Sequence, residues 1–210
     1  MLKKESELLY IFGRRPWSTY TESELKQQYK KKSKSYVESF LKKYREENIL
    51  ITERKGNQVI YSINLASAKA RSVSGTVLEF IAWKKLGRIS KELEETIKKI
   101  PHNNYISLIT GSYAKRTQTE KSDIDLVILI EDTCKPSKVK AALSMQCELS
   151  IPHIHLYVFT NSEFIQMLKD SEPNYGKEIA KNCLVLTQGQ TYLKLVWEAI
   201  KNGFNDKTLD

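Results

Sequence analysis

The sequence predicts an α+β protein in which a basic, mainly helical N-terminal region precedes a mixed sheet with further helices. Two observations predict this class. Residues 4–65 follow a helix, helix, helix, hairpin order, and short apolar strands separated by polar or helical stretches follow after residue 100. A chain of 210 residues with 40% hydrophobic content can bury a sizeable core, either as one domain or as two small ones.

Charge and composition narrow the class of partner and compartment. The formal net charge of +9 favours a polyanionic partner, because Lys and Arg release counterions from phosphates. The longest apolar runs, such as residues 126–130, are too short to span a bilayer, and the charged start does not resemble a cleaved signal, so we expect no membrane partner. Cys134, Cys147 and Cys183 include no C-x-x-C pair and predict a reducing, cytoplasmic compartment.

The first two predicted helices are identified by residues that typically begin or end a helix. The first runs from about Lys4 to Phe12, and Gly13 and Pro16 are expected to end it. The second opens at Thr21, because Thr21 and Glu24 have the spacing of a capping box that satisfies free amides of the first turn.

The third predicted helix, residues 34–47, has an apolar stripe and a polar, mostly basic outer face. The stripe consists of Val37, Phe40, Leu41 and Tyr44. The residues expected off the core are Lys34, Ser35, Glu38, Ser39 and Lys42. Residues 49–52 and 59–63 then read as two strands around a glycine turn, whose tip carries Arg54 and Lys55.

This order of elements resembles a winged helix-turn-helix domain of the kind common in prokaryotic regulators, over residues 1–65. The resemblance implies that the third helix lies in the major groove of duplex DNA and that the hairpin is the wing. The residues placed toward DNA are Lys34, Ser35, Ser39 and Lys42 on the helix, and Arg54 and Lys55 on the wing. A solvated charged face and a protein-interaction module stay open as alternatives.

The remaining chain is predicted to contain a helical connector, residues 66–100, and a second domain, residues 101–210. The connector is interrupted near Gly87. Strands are expected at residues 105–110, 124–130 and 154–160, followed by C-terminal helices. The last helix carries an apolar stripe that packs on the core or, alternatively, forms a homodimer contact: Leu193, Val196, Trp197 and Ile200.

The residues suited to chemistry lie between the first two strands of that second domain. Asp123 and Asp125 are two apart at the start of a strand, so their side chains point to the same face and can share a divalent cation. Oxygen ligands of this kind suit Mg²⁺ or Mn²⁺. Gly111 and Ser112 follow the preceding strand at a helix start, where free backbone amides suit phosphate.

The segments Gly111-Ser112-Tyr113-Ala114-Lys115-Arg116 and Ser122-Asp123-Ile124-Asp125-Leu126 closely resemble the signature of minimal nucleotidyltransferases of the DNA polymerase beta-like superfamily. The resemblance implies Mg²⁺-dependent transfer of a nucleoside monophosphate from an NTP to an acceptor. It implies metal on the two aspartates and nucleotide at the Gly-Ser. Such proteins often act as antitoxins that modify a toxin, so a protein acceptor is one possibility.

Two interpretations are open for the three basic residues near the motif. Lys115, Arg116 and Lys121 either meet nucleotide phosphates or are simply solvated. Arg116 also departs from the glycine that the family often has at this position.

A larger departure concerns the third carboxylate that active members of this superfamily usually present on the next strand. His155 occupies the position that we align with that acid, and Glu148 lies too far upstream to replace it. The histidine is either a base or softer metal ligand, or a structural residue beside a degenerate site. Two functions therefore stay open: a DNA-associated nucleotidyltransferase, and a DNA-binding transcriptional regulator that senses a nucleotide without turnover.

Overall fold

The computed structural model describes residues 5–29 and 34–209. Its N-terminal part contains α1 (Glu5–Arg14), β1 (Tyr20–Thr21), α2 (Glu22–Tyr29), α3 (Lys34–Glu46), β2 (Leu50–Lys55) and β3 (Gln58–Ile63). The three strands form an antiparallel sheet in the order β1-β3-β2. Lys30, Lys31 and Lys32 of the basic segment, together with the Lys34 side chain, lie outside the described residues.

The N-terminal helices follow the local sequence signals. The Thr21 backbone amide donates to Glu24 Oε2 over 2.6 Å and the Glu24 amide donates to Thr21 Oγ1 over 3.3 Å, so the predicted capping box is present. The first helix is longer than predicted and runs through Gly13, which lies beside the Leu78 side chain. Strand β1 was not predicted, because two residues are too few for any periodicity.

The hairpin also differs in detail from the prediction. Arg54 and Lys55 belong to β2 and pair with Val59 and Gln58, whereas the prediction placed them in the turn. The turn itself is shorter and contains Gly56, whose φ of +59° is a conformation that glycine adopts without strain.

The second half of the chain contains a long helix and then a mixed sheet. Its elements are α4 (Ala68–Leu86), α5 (Ser90–Ile97), β4 (Tyr105–Ile109), α6 (Gly111–Lys115), β5 (Ile124–Ile130), α7 (Pro136–Leu149), β6 (Ile154–Thr160), α8 (Asn161–Lys169), α9 (Tyr175–Lys181), β7 (Leu184–Val185) and α10 (Gly189–Lys201). Short 3-10 turns cover Gly87–Ile89 and Asp206–Leu209. Gly87 has a φ of +54° and ends α4, which explains the interruption that the sequence predicts.

The sheet has the strand order β6-β5-β4-β7. Strands β5 and β6 are parallel, and the pairs β4 with β5 and β4 with β7 are antiparallel, so the predicted mixed sheet is confirmed. A parallel pair needs a crossover connection, and α7 supplies it by packing against β6. This helix was not predicted from the sequence.

One continuous core joins the N-terminal region to the sheet domain. Leu9 and Phe12 of α1 belong to the same buried cluster as Leu78 of α4 and Tyr192 of α10. The apolar stripe of α10 is part of that cluster: Leu193 and Val196 are fully buried, and Trp197 and Ile200 pack against it. The stripe is therefore core, and not the homodimer contact considered as its alternative. In the described ranges, no helix combines the length and apolar content that a bilayer crossing requires.

Candidate active site

Two aspartates and a histidine meet at one end of the parallel strand pair. Asp125 is directly opposite His155 in the register of β5 and β6. His155 Nε2 lies 3.4 Å from Asp123 Oδ2, and His155 Nδ1 lies 3.7 Å from Asp125 Oδ1. The side chains are 49%, 42% and 26% exposed for His155, Asp123 and Asp125, so a ligand can reach them from solvent. The imidazole thus faces both carboxylates, as strand alternation predicts.

A second imidazole completes this cluster. The rings of His153 and His155 meet edge to face with centroids 5.1 Å apart. One ligand atom each from Asp123, His153 and His155 can be chosen so that all three lie within 4.8 Å of one another. A backbone hydrogen bond joins the first residue of β5 to the residue before β6, because the Ile124 amide donates to the His153 carbonyl over 2.8 Å. A set of two nitrogens and one carboxylate is chemically able to hold a divalent cation.

Gly111 packs directly against the Asp125 side chain. A Cβ on this residue would lie 2.0 Å from Asp125 Oδ2, and its φ is +63°. The Thr110 amide also donates to the Asp125 carbonyl over 3.0 Å. Both the space and the backbone conformation at position 111 therefore require glycine. The Gly-Ser and the Asp-x-Asp, separate in sequence, form one structural unit.

A cavity of about 180 Å³ opens beside Asp125. Its lining comes from four elements and the loops beside them: Thr110, Gly111, Lys115, Asp125, Tyr157, Tyr175, Glu178 and Asn182. The two tyrosine rings have centroids 4.7 Å apart, and the Tyr175 hydroxyl lies 3.1 Å from Thr110 Oγ1. Burial raises the pKa of Tyr175 to about 12, so this phenol stays neutral at physiological pH. The cavity offers aromatic surface, a cation and a carboxylate side by side.

Tyr175 and Glu178 were not among the predicted site residues. They reach the cavity because Asn174 caps α9, accepting from the Lys177 amide over 3.1 Å, and α9 packs beside α8. The capping asparagine is a local signal for the helix. No sequence spacing indicates that this helix borders the aspartates.

The predicted phosphate-binding residues are spread along the site. Lys115 lines the cavity, whereas Lys121 is exposed in the loop that leads to Asp123. Ser112 is partly exposed within α6, a helix of 5 residues, and its carbonyl accepts from the Arg116 amide. Arg116 has a φ of +59°, in the left-handed region that favours glycine.

Further positive charge lies near Arg116. Burial, together with the positive charges of Arg116 and Arg14, lowers the pKa of Lys85 to about 8. The Lys85 ammonium donates to the Tyr10 hydroxyl over 2.6 Å and lies 4.3 Å from the centre of that ring. Cationic groups from α1, α4 and the end of α6 thus lie near one another, a grouping that no sequence pattern indicates.

On the N-terminal region, the described residues predicted to face DNA are all on the surface. Ser35, Ser39 and Lys42 are exposed on α3, and Arg54 and Lys55 are exposed on β2.

Residues 86–186 match the protein family described as Nucleotidyltransferase domain. The matched range contains Gly111, Asp123, Asp125 and His155, together with the cavity, and the mixed sheet fits such a domain. The match supports a nucleotidyltransferase domain in this part of the chain. No curated protein and no solved structure gave a match to the chain.

Proposed function

We propose that this protein is a metal-dependent nucleotidyltransferase that moves a nucleoside monophosphate from an NTP to an acceptor. One observation carries the proposal: Asp123 and Asp125 both face His155, Asp125 lines the cavity, and Gly111 packs directly against the Asp125 carboxylate. This arrangement lies inside the segment that matches the nucleotidyltransferase family.

The donor set suits a divalent cation, since the two carboxylates supply the oxygen ligands that Mg²⁺ and Mn²⁺ prefer. Bound by Asp123 and Asp125, the ion would neutralise the triphosphate and support the departing pyrophosphate. Gly111 lets the Asp125 carboxylate pack against the backbone beside the cavity, and Lys115 at the cavity wall supplies a positive charge for the phosphates. The rings of Tyr157 and Tyr175 offer an apolar surface for the base or ribose.

His155 would accept the proton of the attacking acceptor hydroxyl. As the new oxygen–phosphorus bond forms at the α-phosphate, the bond to pyrophosphate breaks and the hydroxyl proton passes to the imidazole. A half-exposed imidazole beside the two carboxylates is placed for this role, because an acceptor hydroxyl can reach it from solvent.

The proposal includes duplex DNA as a partner of residues 5–63, taken as a winged helix-turn-helix domain. The element order, the β1-β3-β2 sheet and the exposed basic residues of α3 and the hairpin support it. The acceptor is proposed to be a macromolecule, a toxin-like protein among the possibilities that the family resemblance raises. Cys134, Cys147 and Cys183 are free thiols, which suits a reducing cytoplasmic compartment.

A second function is favoured by one specific observation. His155 stands where active relatives usually present a third carboxylate, directly opposite Asp125. With fewer negative charges the site holds a cation more weakly. A DNA-binding regulator that binds a nucleotide without turnover is the alternative.

The test uses α-phosphate-labelled NTPs, Mg²⁺ or Mn²⁺, and a lysate from the source cell. We expect a labelled macromolecule with the wild type and none with the Asp123→Asn/Asp125→Asn double variant. Glu120→Gln, which removes an exposed charge from the loop before the aspartates, is the matched control and should label normally.

Calorimetry with a non-hydrolysable NTP and Mg²⁺ separates the two functions. Nucleotide binding that depends on the aspartates, without any labelled product, would establish the sensing alternative. Equal nucleotide affinity in the wild type and the double variant would remove both functions from this site.

A further inference from the structure

We propose that His153, His155 and Asp123 form a binding site for a borderline transition-metal ion of the Zn²⁺ and Co²⁺ class, in preference to Mg²⁺. The inference deepens the proposed function by naming the class of ion that the site takes, and it rests on that function only for the use of the ion. With this ion, His155 is a metal ligand in place of the proton acceptor proposed with Mg²⁺, and Asp125 orients His155 in place of binding the ion. The ligands themselves are identified from their geometry.

The backbone brings the three ligands together. His153 directly precedes β6 and His155 is its second residue. Because the two are two residues apart, their rings lie on the same side, opposite to the buried Ile154. The parallel register with β5 sets Asp123 beside them. One ligand atom from each of the three side chains lies within 4.8 Å of the other two.

The separations suit coordination of a single ion. Nitrogen and oxygen ligands lie about 2.0–2.2 Å from Zn²⁺, so two atoms bound to the same ion are roughly 3–4 Å apart. His155 Nε2 and Asp123 Oδ2 are already 3.4 Å apart. The remaining separations in the set are at most 4.8 Å, so the partly exposed His153 has to move closer for all three ligands to bind one ion.

Asp125 has a separate part in this arrangement. A metal-bound histidine commonly donates its other ring N–H to a carboxylate, which fixes the tautomer and the ring orientation. His155 Nδ1 lies 3.7 Å from Asp125 Oδ1 while its Nε2 faces Asp123. Asp125 would therefore orient the His155 imidazole, and Asp123 would bind the same metal ion as that imidazole.

The ligand chemistry selects the class of ion. Mg²⁺ takes oxygen ligands in a near-ideal octahedron and gives up water reluctantly, whereas imidazole nitrogen suits Zn²⁺ and related ions. Two imidazoles among three ligands therefore discriminate against Mg²⁺. Because the cluster is partly exposed, water or a phosphate oxygen can fill the remaining positions, as in catalytic zinc sites.

The first measurement follows the histidine rings of the full-length, metal-free protein by ¹⁵N NMR during titration with Zn²⁺. The chain has 3 histidines, so the assignment needs only single variants. We expect the His153 and His155 ring nitrogens to shift and His102 to stay unchanged. His102 is the demanding control, because its Nδ1 lies 3.6 Å from Cys134 Sγ and this pair is the rival soft-metal site.

The second measurement is the visible absorption of bound Co²⁺, titrated with and without a tenfold excess of Mg²⁺. His153→Gln and His155→Gln should each weaken Co²⁺ binding by at least about tenfold, the loss typical of even outer-shell partners. His102→Gln and Cys134→Ser should not, and Mg²⁺ should not displace the Co²⁺. Circular dichroism checks that each variant is folded.

Zn²⁺-induced shifts confined to His102, or Co²⁺ affinity unchanged in both His→Gln variants, would overturn this inference. Displacement of Co²⁺ by the Mg²⁺ excess would also overturn it. These outcomes are distinct from failure of the proposed function, since metal binding is measured without any NTP or acceptor. A site that binds Co²⁺ through both imidazoles while no NTP label is transferred would retain the metal site and remove the transferase.

Discussion

The Asp125 carboxylate occupies the space in which a side chain at position 111 would begin, because a Cβ on Gly111 would lie 2.0 Å from Asp125 Oδ2. The Gly111→Ala variant must therefore displace the carboxylate and also force alanine to a φ of +63°. We expect a loss of about 1–3 kcal/mol in the free energy of unfolding, as for overpacked positions, together with loss of metal-dependent NTP binding.

Urea denaturation and calorimetry with Mg²⁺ and a non-hydrolysable NTP measure the two effects. Gly56→Ala is the matched control, since Gly56 has a similar φ of +59° but no neighbouring atom within 4 Å. It should lose stability through backbone strain and retain nucleotide binding. Wild-type nucleotide affinity in Gly111→Ala would show that the Asp125 position is not set by this contact.

Restoring a carboxylate at position 155 should change the ion that the site prefers. In His155→Asp, three aspartates would face one another at the ends of β5 and β6, and the added oxygen ligand suits Mg²⁺ better than imidazole does. We expect tighter Mg²⁺ binding, weaker Zn²⁺ binding and more nucleotidyl transfer than in the wild type. His155→Asn offers an oxygen ligand without a charge, so comparing it with His155→Asp shows whether the oxygen or the negative charge improves Mg²⁺ binding. Mg²⁺ affinity no better than wild type would contradict the alignment of this residue with the third acid.

The basic surface of the N-terminal region should bind duplex DNA in a salt-dependent way. Charge reversal by Lys42→Glu and Lys55→Glu should weaken binding and flatten the slope of log affinity against log salt by about 0.9 for each phosphate that the protein no longer neutralises. A gel shift over a series of salt concentrations measures both. Lys98→Glu, on an exposed lysine beyond α5, is the control. Identical binding by all variants would favour a protein-interaction module.

Helices α4 and α10 approach so closely that only glycine fits where they meet. A Cβ on Gly75 would lie 2.4 Å from the Gln190 backbone nitrogen, and one on Gly189 would lie 2.5 Å from the Gly75 carbonyl oxygen. Gly75→Ala should therefore lower the free energy of unfolding by about 1–3 kcal/mol or more, because backbone has to move.

Gly13→Ala is the matched helical control for that experiment. Its new methyl group would meet Leu78 at 3.4 Å, an ordinary contact, and alanine is favoured over glycine in a helix by up to about 1 kcal/mol. Thermal or urea denaturation should show no loss for Gly13→Ala. Equal stability of Gly75→Ala and the wild type would mean that the two helices can separate without cost.

The half-buried Lys85 should make stability depend on alkaline pH. Its pKa is about 8 in the folded protein, chiefly through burial, against 10.5 for an exposed lysine. Between these values the unfolded chain binds more protons than the folded one, so this group increases the stability as pH rises through the interval. The free energy of unfolding of the wild type minus that of Lys85→Gln, measured by urea denaturation, should therefore be larger at pH 10 than at pH 7. A difference independent of pH would contradict the lowered pKa.

Local physics allowed much of the chain to be predicted from its sequence. The capping box at Thr21 and Glu24, the helix break at Gly87 and the buried stripe of α10 depend on neighbours a few residues away, which the sequence places directly. Strand alternation likewise fixes which side chains share a face. It therefore predicts that Asp123 and Asp125 share one face of their strand and that His155 lies on the opposite face from Ile154.

Only the tertiary structure decided how those elements meet. The parallel pairing that sets Asp125 opposite His155, the placement of Tyr175 in the cavity and the glycine contact between α4 and α10 join residues distant in sequence. The pairing of Lys85 with Tyr10 is of the same kind. Such contacts leave no repeating pattern in the sequence, because they depend on how whole faces of helices and sheets pack together. That packing is determined by the shape and burial of all core side chains together.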